Sequence, residues 1–107
     1  MDENLKKIKE IILQTAKEMN IEIDRIILFG SRARGDYRED SDYDILIVTK
    51  NEVSKEKEVK FKLKIIRDTA KLLLDVQPIM VDIKRFEKYK HVYGDIVGIA
   101  VLEGIEL

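Results

Sequence analysis

Two short apolar runs constrain this chain more than anything else in it. Arg25-Ile-Ile-Leu-Phe29 ends at Gly30, and Tyr43-Asp-Ile-Leu-Ile-Val-Thr49 follows after a polar stretch. Runs of this length, nearly continuous and rich in Ile and Val, read as strands covered on both faces. A sheet covered in that way needs helices, and the remaining sequence carries their pattern. Leu5, Ile8, Ile12, Ala16 and Met19 recur at steps of three and four, which predicts a helix over about 3–19 with Asn20 as its end signal. Val59, Leu63, Ile66, Ala70 and Leu73 repeat that spacing through a second helix over about 55–74, with Ser54 as its N-cap. Residues 75–83 read as a third strand, and Pro78 argues for an edge position or a bulge. A helical pattern from about 85 to 103 is weakened by Gly94 and Gly98, and Gly104 can end it before a short terminal strand over 105–107. The order predicts an α+β (α/β-like) domain, a small sheet with helices packed against it.

Length and charge narrow the function. At 107 residues the chain fits one domain over 1–107. Twenty Lys and Arg against 21 Asp and Glu leave a net charge of −1, so no broad nucleic-acid-binding surface is expected. With no Cys there is no disulfide or thiolate metal site. The start, MDENLKKIKE, lacks the apolar stretch of a secretory signal, and no segment approaches the roughly 18–20 apolar residues of a membrane span. A soluble, cytoplasmic protein without membrane contact is the expectation. His91, the only histidine, sits in a charged segment with no evident partner for base catalysis, and Tyr89 and Tyr93 read as packing residues.

The chemistry concentrates between Gly30 and Asp44. Asp42 and Asp44 flank one residue at the head of a strand, where alternate side chains share a face about 6.6–6.8 Å apart. Two such carboxylates repel each other, and a divalent cation would offset that cost. Oxygen ligands without His or Cys suit Mg²⁺ or Mn²⁺ rather than Zn²⁺. At the end of the preceding strand, Gly30 allows close backbone approach to an anion and Ser31 adds a hydroxyl. Arg32, Arg34 and Arg38 could neutralise polyphosphate charge, with Arg32 and Arg34 nearest the turn. The sum is a phosphate cradle beside a cation-binding carboxylate pair.

Gly30-Ser31, ten intervening residues and Asp42-Tyr43-Asp44 resemble the signature of the DNA polymerase β-like nucleotidyltransferase superfamily. The sequence is most similar to its minimal branch, the antitoxin half of two-gene modules with a HEPN-domain toxin. The likeness runs from residue 25 to Gly104-Ile105. It implies a small mixed sheet and transfer of AMP from ATP to a hydroxyl with release of pyrophosphate, the acceptor being a Tyr on the HEPN toxin. By position, Asp42 and Asp44 would bind two Mg²⁺ ions about 3.5–4 Å apart, and Gly30, Ser31, Arg32 and Arg34 would hold the nucleotide. The family's third carboxylate, a metal ligand or a base, has a poorer match here. Asp75, Gln77, Ile79 and Val81 would share one strand face, which favours Asp75 as catalytic and metal residue; Asp82 is the second choice, and Gln77 or Ile79 can instead occupy the acidic position. Two other functions fit the same residues. One is transfer to a small molecule such as an antibiotic, with a homo-oligomer completing the pocket; the other is a binding module that neutralises its partner by occlusion.

Overall fold

The structure, a computed structural model, describes residues 2–107. Helix α1 (Glu3–Glu18) opens on Asp2, whose carboxylate accepts the Leu5 N–H at 2.7 Å, a side-chain cap for a helix end that lacks its own acceptors. Strand β1 (Ile23–Phe29), the single-turn helix α2 (Ser31–Arg34), strand β2 (Tyr43–Thr49) and helix α3 (Lys55–Ala70) follow. Strand β3 (Val76–Asp82), helices α4 (Ile83–Tyr89) and α5 (Ile96–Glu103), and the short strand β4 (Ile105–Glu106) complete the chain. The sheet order is β3-β2-β1-β4. Strands β1 and β2 are antiparallel, β2 and β3 parallel, and β1 and β4 antiparallel. This is the expected α+β architecture with a mixed sheet, and Pro78 lies on the edge strand β3.

Both faces of the central strands are covered, as their continuous apolar runs require. Ile26, Leu28, Ile45 and Ile47 meet Ile8 and Ile12 of α1 and Phe61 and Ile65 of α3. Ile27, Phe29, Leu46 and Val48 meet Phe86 of α4 and Val97 and Ala100 of α5. The helix over 55–74 differs from expectation in its buried face. Phe61, Ile65 and Thr69 point inward, whereas Val59, Leu63 and Ile66 are exposed, Leu63 by 60%. The helix carries two apolar stripes, and the one with the aromatic ring wins the core. Thr69 can join that stripe because its hydroxyl donates to the Ile65 carbonyl at 2.7 Å, so no polar atom is left bare. Truncating Phe61 to Ala would cost about 3–5 kcal/mol. The helix also ends earlier than expected, at Ala70; Leu73 then takes φ +60 and is 94% exposed while the chain turns into β3.

The segment over 85–103 is two helices rather than one. Asp82 caps α4 by accepting the Arg85 N–H at 2.9 Å, and Asp95 caps α5 by accepting the Val97 N–H at 2.9 Å. Between them Gly94 adopts φ +86, a conformation that breaks the helix and favours glycine. Tyr93 falls in this turn and is 97% exposed, so it does not pack as expected, whereas Tyr89 lies against the core. Among the described residues no helix is long and apolar enough to cross a membrane.

Candidate active site

The strand directions bring three distant segments to one end of the sheet. Because β1 and β2 run antiparallel, the end of β1 meets the start of β2, with Phe29 opposite Asp44. Because β3 runs parallel to β2, its start lies there too, with Tyr43 opposite Val76 and Asp44 opposite Gln77. The Tyr43 N–H donates to the Asp75 carbonyl at 2.8 Å and fixes the approach of Asp75. Strand alternation then decides the faces. Tyr43, Ile45 and Val76 join the α1–α3 side, so Asp42, Asp44, Asp75 and Gln77 fall on the α4–α5 side.

The Asp42 and Asp75 side chains meet there as a carboxyl–carboxyl pair. The hydrogen bond with Asp75 raises the Asp42 carboxyl above the usual carboxylate range, with burial and the charges of Asp75, Asp44 and Asp40 adding to the effect. Gln77 supports the arrangement from the strand, its Nε2 donating to Asp75 Oδ1 at 3.2 Å. Asp44 is half-buried, and burial raises its pKa; the charge of Glu103 adds to this and the Arg34 guanidinium opposes it. Three carboxylates thus share one sheet end, Asp42 held above its ordinary range chiefly by Asp75, and Asp44 by burial. Asp82 does not join them. It stands opposite Thr49 at the far end of β3 and caps α4, because the length of the strand, Val76–Asp82, separates it from the cluster.

Gly30 makes the cluster possible. Its φ of +76 and ψ of −160 lie in a region open essentially to glycine. A Cβ at this position would run into the Asp44 carboxylate, against Oδ2. Absence of a side chain therefore leaves room for Asp44 and bends the chain into α2, where Ser31 begins the turn. The two arginines nearest the turn divide. Arg32 is sandwiched between the rings of Tyr37 and Tyr43, its Cζ 4.4 Å from each centroid. Its guanidinium donates to the carbonyls of Glu39 at 2.8 Å and Ser41 at 3.0 Å. That side chain closes the loop before Asp42, so its donors are largely spent on the protein instead of open to a nucleotide. Arg34 remains exposed at the cradle, its Nη1 donating to Glu103 Oε1 at 3.1 Å and its Nε to Asp36 at 3.3 Å. Glu103 also accepts the Gly30 N–H at 2.9 Å. No local pattern marks Glu103 as a site residue; only the pairing of β4 with β1 carries it there.

The donor set fits a hard divalent cation. All the candidate ligands are carboxylate oxygens, and a cation would relieve the repulsion that raises Asp42. The cage is not closed in advance, since among the described residues no group of three or more His, Asp or Glu is drawn together tightly enough to hold an ion. Asp44 leans instead toward Gly30 and lies within the reach of Arg34.

A Gly-Ser turn at a strand end thus faces paired Asp residues at the head of the next strand. The chain belongs to the nucleotidyltransferase domain family, whose model matches residues 5–105. A protein of Methanocaldococcus jannaschii described as a candidate protein adenylyltransferase is 50% identical over 48 residues, covering 41% of this chain and 48% of that protein. The chain thus spans about half the length of this curated relative. A structure described as a candidate minimal nucleotidyltransferase superposes with a TM-score of 0.63 at 24% identity, over 100% of this chain and 97% of that one. The fold also matches that of a complex of a tri-AMPylated Shewanella oneidensis HEPN toxin with its MNT antitoxin, with a TM-score of 0.54 at 17% identity over 94% of this chain and 69% of that one.

Proposed function

We propose that this protein is a Mg²⁺-dependent adenylyltransferase that moves AMP from ATP to a hydroxyl, a Tyr on a HEPN-domain toxin, and so acts as the antitoxin. The observation that carries the reading is the gathering of Asp42, Asp44 and Asp75 at the sheet end where Gly30 and Ser31 leave β1. In this reading Asp42 and Asp44 bind the cations and Asp75 completes the set. Mg²⁺, when bound, polarises the phosphate oxygens and neutralises the charge developing on the leaving pyrophosphate. The acceptor oxygen bonds to the α-phosphorus, the bond to the bridging oxygen breaks, and pyrophosphate departs. Asp75, beside Asp42, is the group placed to take the hydroxyl proton. Ser31 and Arg34 hold the terminal phosphates, which directs the leaving group along the cradle. Arg32 acts indirectly by fixing the loop that presents Asp42.

A partner protein is favoured over a small acceptor by the shape of the site. The carboxylates lie at an open sheet end, with Asp42 and Asp75 exposed. The likeness to the AMPylated toxin complex supports the same partner class.

The test is intact-mass spectrometry of a HEPN partner incubated with this protein, ATP and Mg²⁺, beside the Asp42→Asn/Asp44→Asn variant. A gain of one or more AMP units with the wild type alone is expected. A stable complex that gains no mass would refute transfer and favour occlusion.

A further inference from the structure

Glu103 lies outside every motif that marks the site, yet it touches two of the site's parts at once. Its Oε1 accepts the Gly30 N–H at 2.9 Å and the Arg34 Nη1 at 3.1 Å, and its Oε2 accepts the same Nη1 at 3.2 Å. The contact spans 69 positions of sequence to Arg34 and 73 to Gly30. Its place is fixed from below. A Cβ on the neighbouring Gly104 would collide with the Ala100 carbonyl and with Ile27, so the end of α5 is pressed against β1. The Glu103 side chain is only 23% exposed, whereas Asp36, the other partner of Arg34, is 63% exposed. Arg34 Nη2 makes no hydrogen bond among the described residues, so its outer donors remain open while Nη1 and Nε are held.

We propose that Glu103 is a positioning residue that aims Arg34 at the terminal phosphates of the nucleoside triphosphate while locking the Gly30 turn. This rests on the nucleotidyl-transfer reading above and extends it to a residue of the C-terminal helix. A long exposed arginine loses rotamer freedom when it grips a ligand. A carboxylate that already holds Nη1 removes part of that loss and leaves Nη2 to donate to phosphate oxygens. The Gly30 N–H bond makes the arrangement a unit, because the strand end and the arginine move with the same carboxylate.

The test is isothermal titration calorimetry of ATP and of AMP with Mg²⁺, on the wild type, Glu103→Gln, Glu103→Ala and Arg34→Ala. Circular dichroism and thermal melts confirm folding; Glu103→Gln keeps the side-chain volume if the Ala variant does not fold. ATP affinity is expected to fall about tenfold in both Glu103 variants, the worth of one charge-assisted hydrogen bond, with AMP affinity unchanged. In the Arg34→Ala background, Glu103→Gln is expected to add no further loss for ATP. Equal losses for ATP and AMP would overturn the proposal in favour of a purely structural role. Tighter ATP binding in Glu103→Gln would overturn it by making the carboxylate a competitor of phosphate. A wild type that binds neither nucleotide would overturn this proposal together with the reading it rests on, whereas a wild type that binds ATP as tightly as its Glu103 variants would overturn this proposal alone.

Discussion

Asp75 and Asp82 flank the same strand, and their carboxylates have opposite surroundings. At the far end, Asp82 accepts the Arg85 N–H and starts a helix; its charge meets backbone donors and stabilises the fold. At the near end, Asp75 faces Asp42, another carboxyl, and accepts a side-chain hydrogen bond from Gln77 on the strand. Residue type does not separate these two aspartates. Strand direction does, because the parallel pairing of β2 with β3 delivers the start of β3, and not its end, to the Gly-Ser turn. At one end of the sheet a carboxylate is satisfied by backbone donors, and at the other two carboxyls meet each other.

The largest effect expected from breaking the near end is on transfer. Asp42→Asn or Asp44→Asn should lower the single-turnover rate at least about 100-fold, the scale of losing a group aimed at transition-state charge, while circular dichroism stays native. Gly30→Ala should combine two costs, a backbone region closed to alanine at about 1–3 kcal/mol and displacement of the Asp44 carboxylate. Urea unfolding should show that loss of stability, and transfer should fall with it.

A subtler effect follows from the raised carboxyl of Asp42. A carboxyl whose pKa is higher in the folded than in the unfolded chain binds its proton more tightly when folded, so its contribution to stability is lost as pH rises from the ordinary carboxylate range through the raised value. Asp42→Asn removes that contribution. Relative to the variant, the wild type without divalent cation should therefore melt progressively lower as pH rises through that window, and Mg²⁺ with ATP should reverse the gap. Comparing the two proteins cancels groups that titrate in the opposite sense, such as Asp68, whose pKa the hydrogen bond from Lys64 lowers. A melting difference that is flat with pH would contradict the pairing of Asp42 with Asp75.

The smallest effect belongs to the far end. Asp82→Ala should cost about 1 kcal/mol in urea unfolding, the worth of an N-cap, and leave the transfer rate of the folded protein unchanged.

Much of this was legible in the sequence because it is local. The strand ending at Phe29, the Gly-Ser turn and the Asp-x-Asp pair at the head of β2 are all set by short-range pattern, and alternation along β3 separated the face of Asp75 from that of Asp82. What was not legible depends on competition or on distance. Phe61 and Ile65 rather than Val59, Leu63 and Ile66 enter the core, since both stripes have helical spacing and only packing chooses between them. The break between α4 and α5 had a signal, Gly94 followed by the capping Asp95, that the helical pattern around it masked. Arg32 could be placed near the turn but not aimed, because its direction is set by the rings of Tyr37 and Tyr43. Glu103 had no local mark at all.

The most direct test of the central claim is the transfer rate of Asp75→Asn beside Asp82→Asn, measured by intact mass of the acceptor protein under conditions where the wild type transfers AMP. The account predicts that Asp75→Asn adds no AMP while Asp82→Asn transfers at the wild-type rate. Transfer by Asp75→Asn at the wild-type rate, with loss in a folded Asp82→Asn, would contradict it.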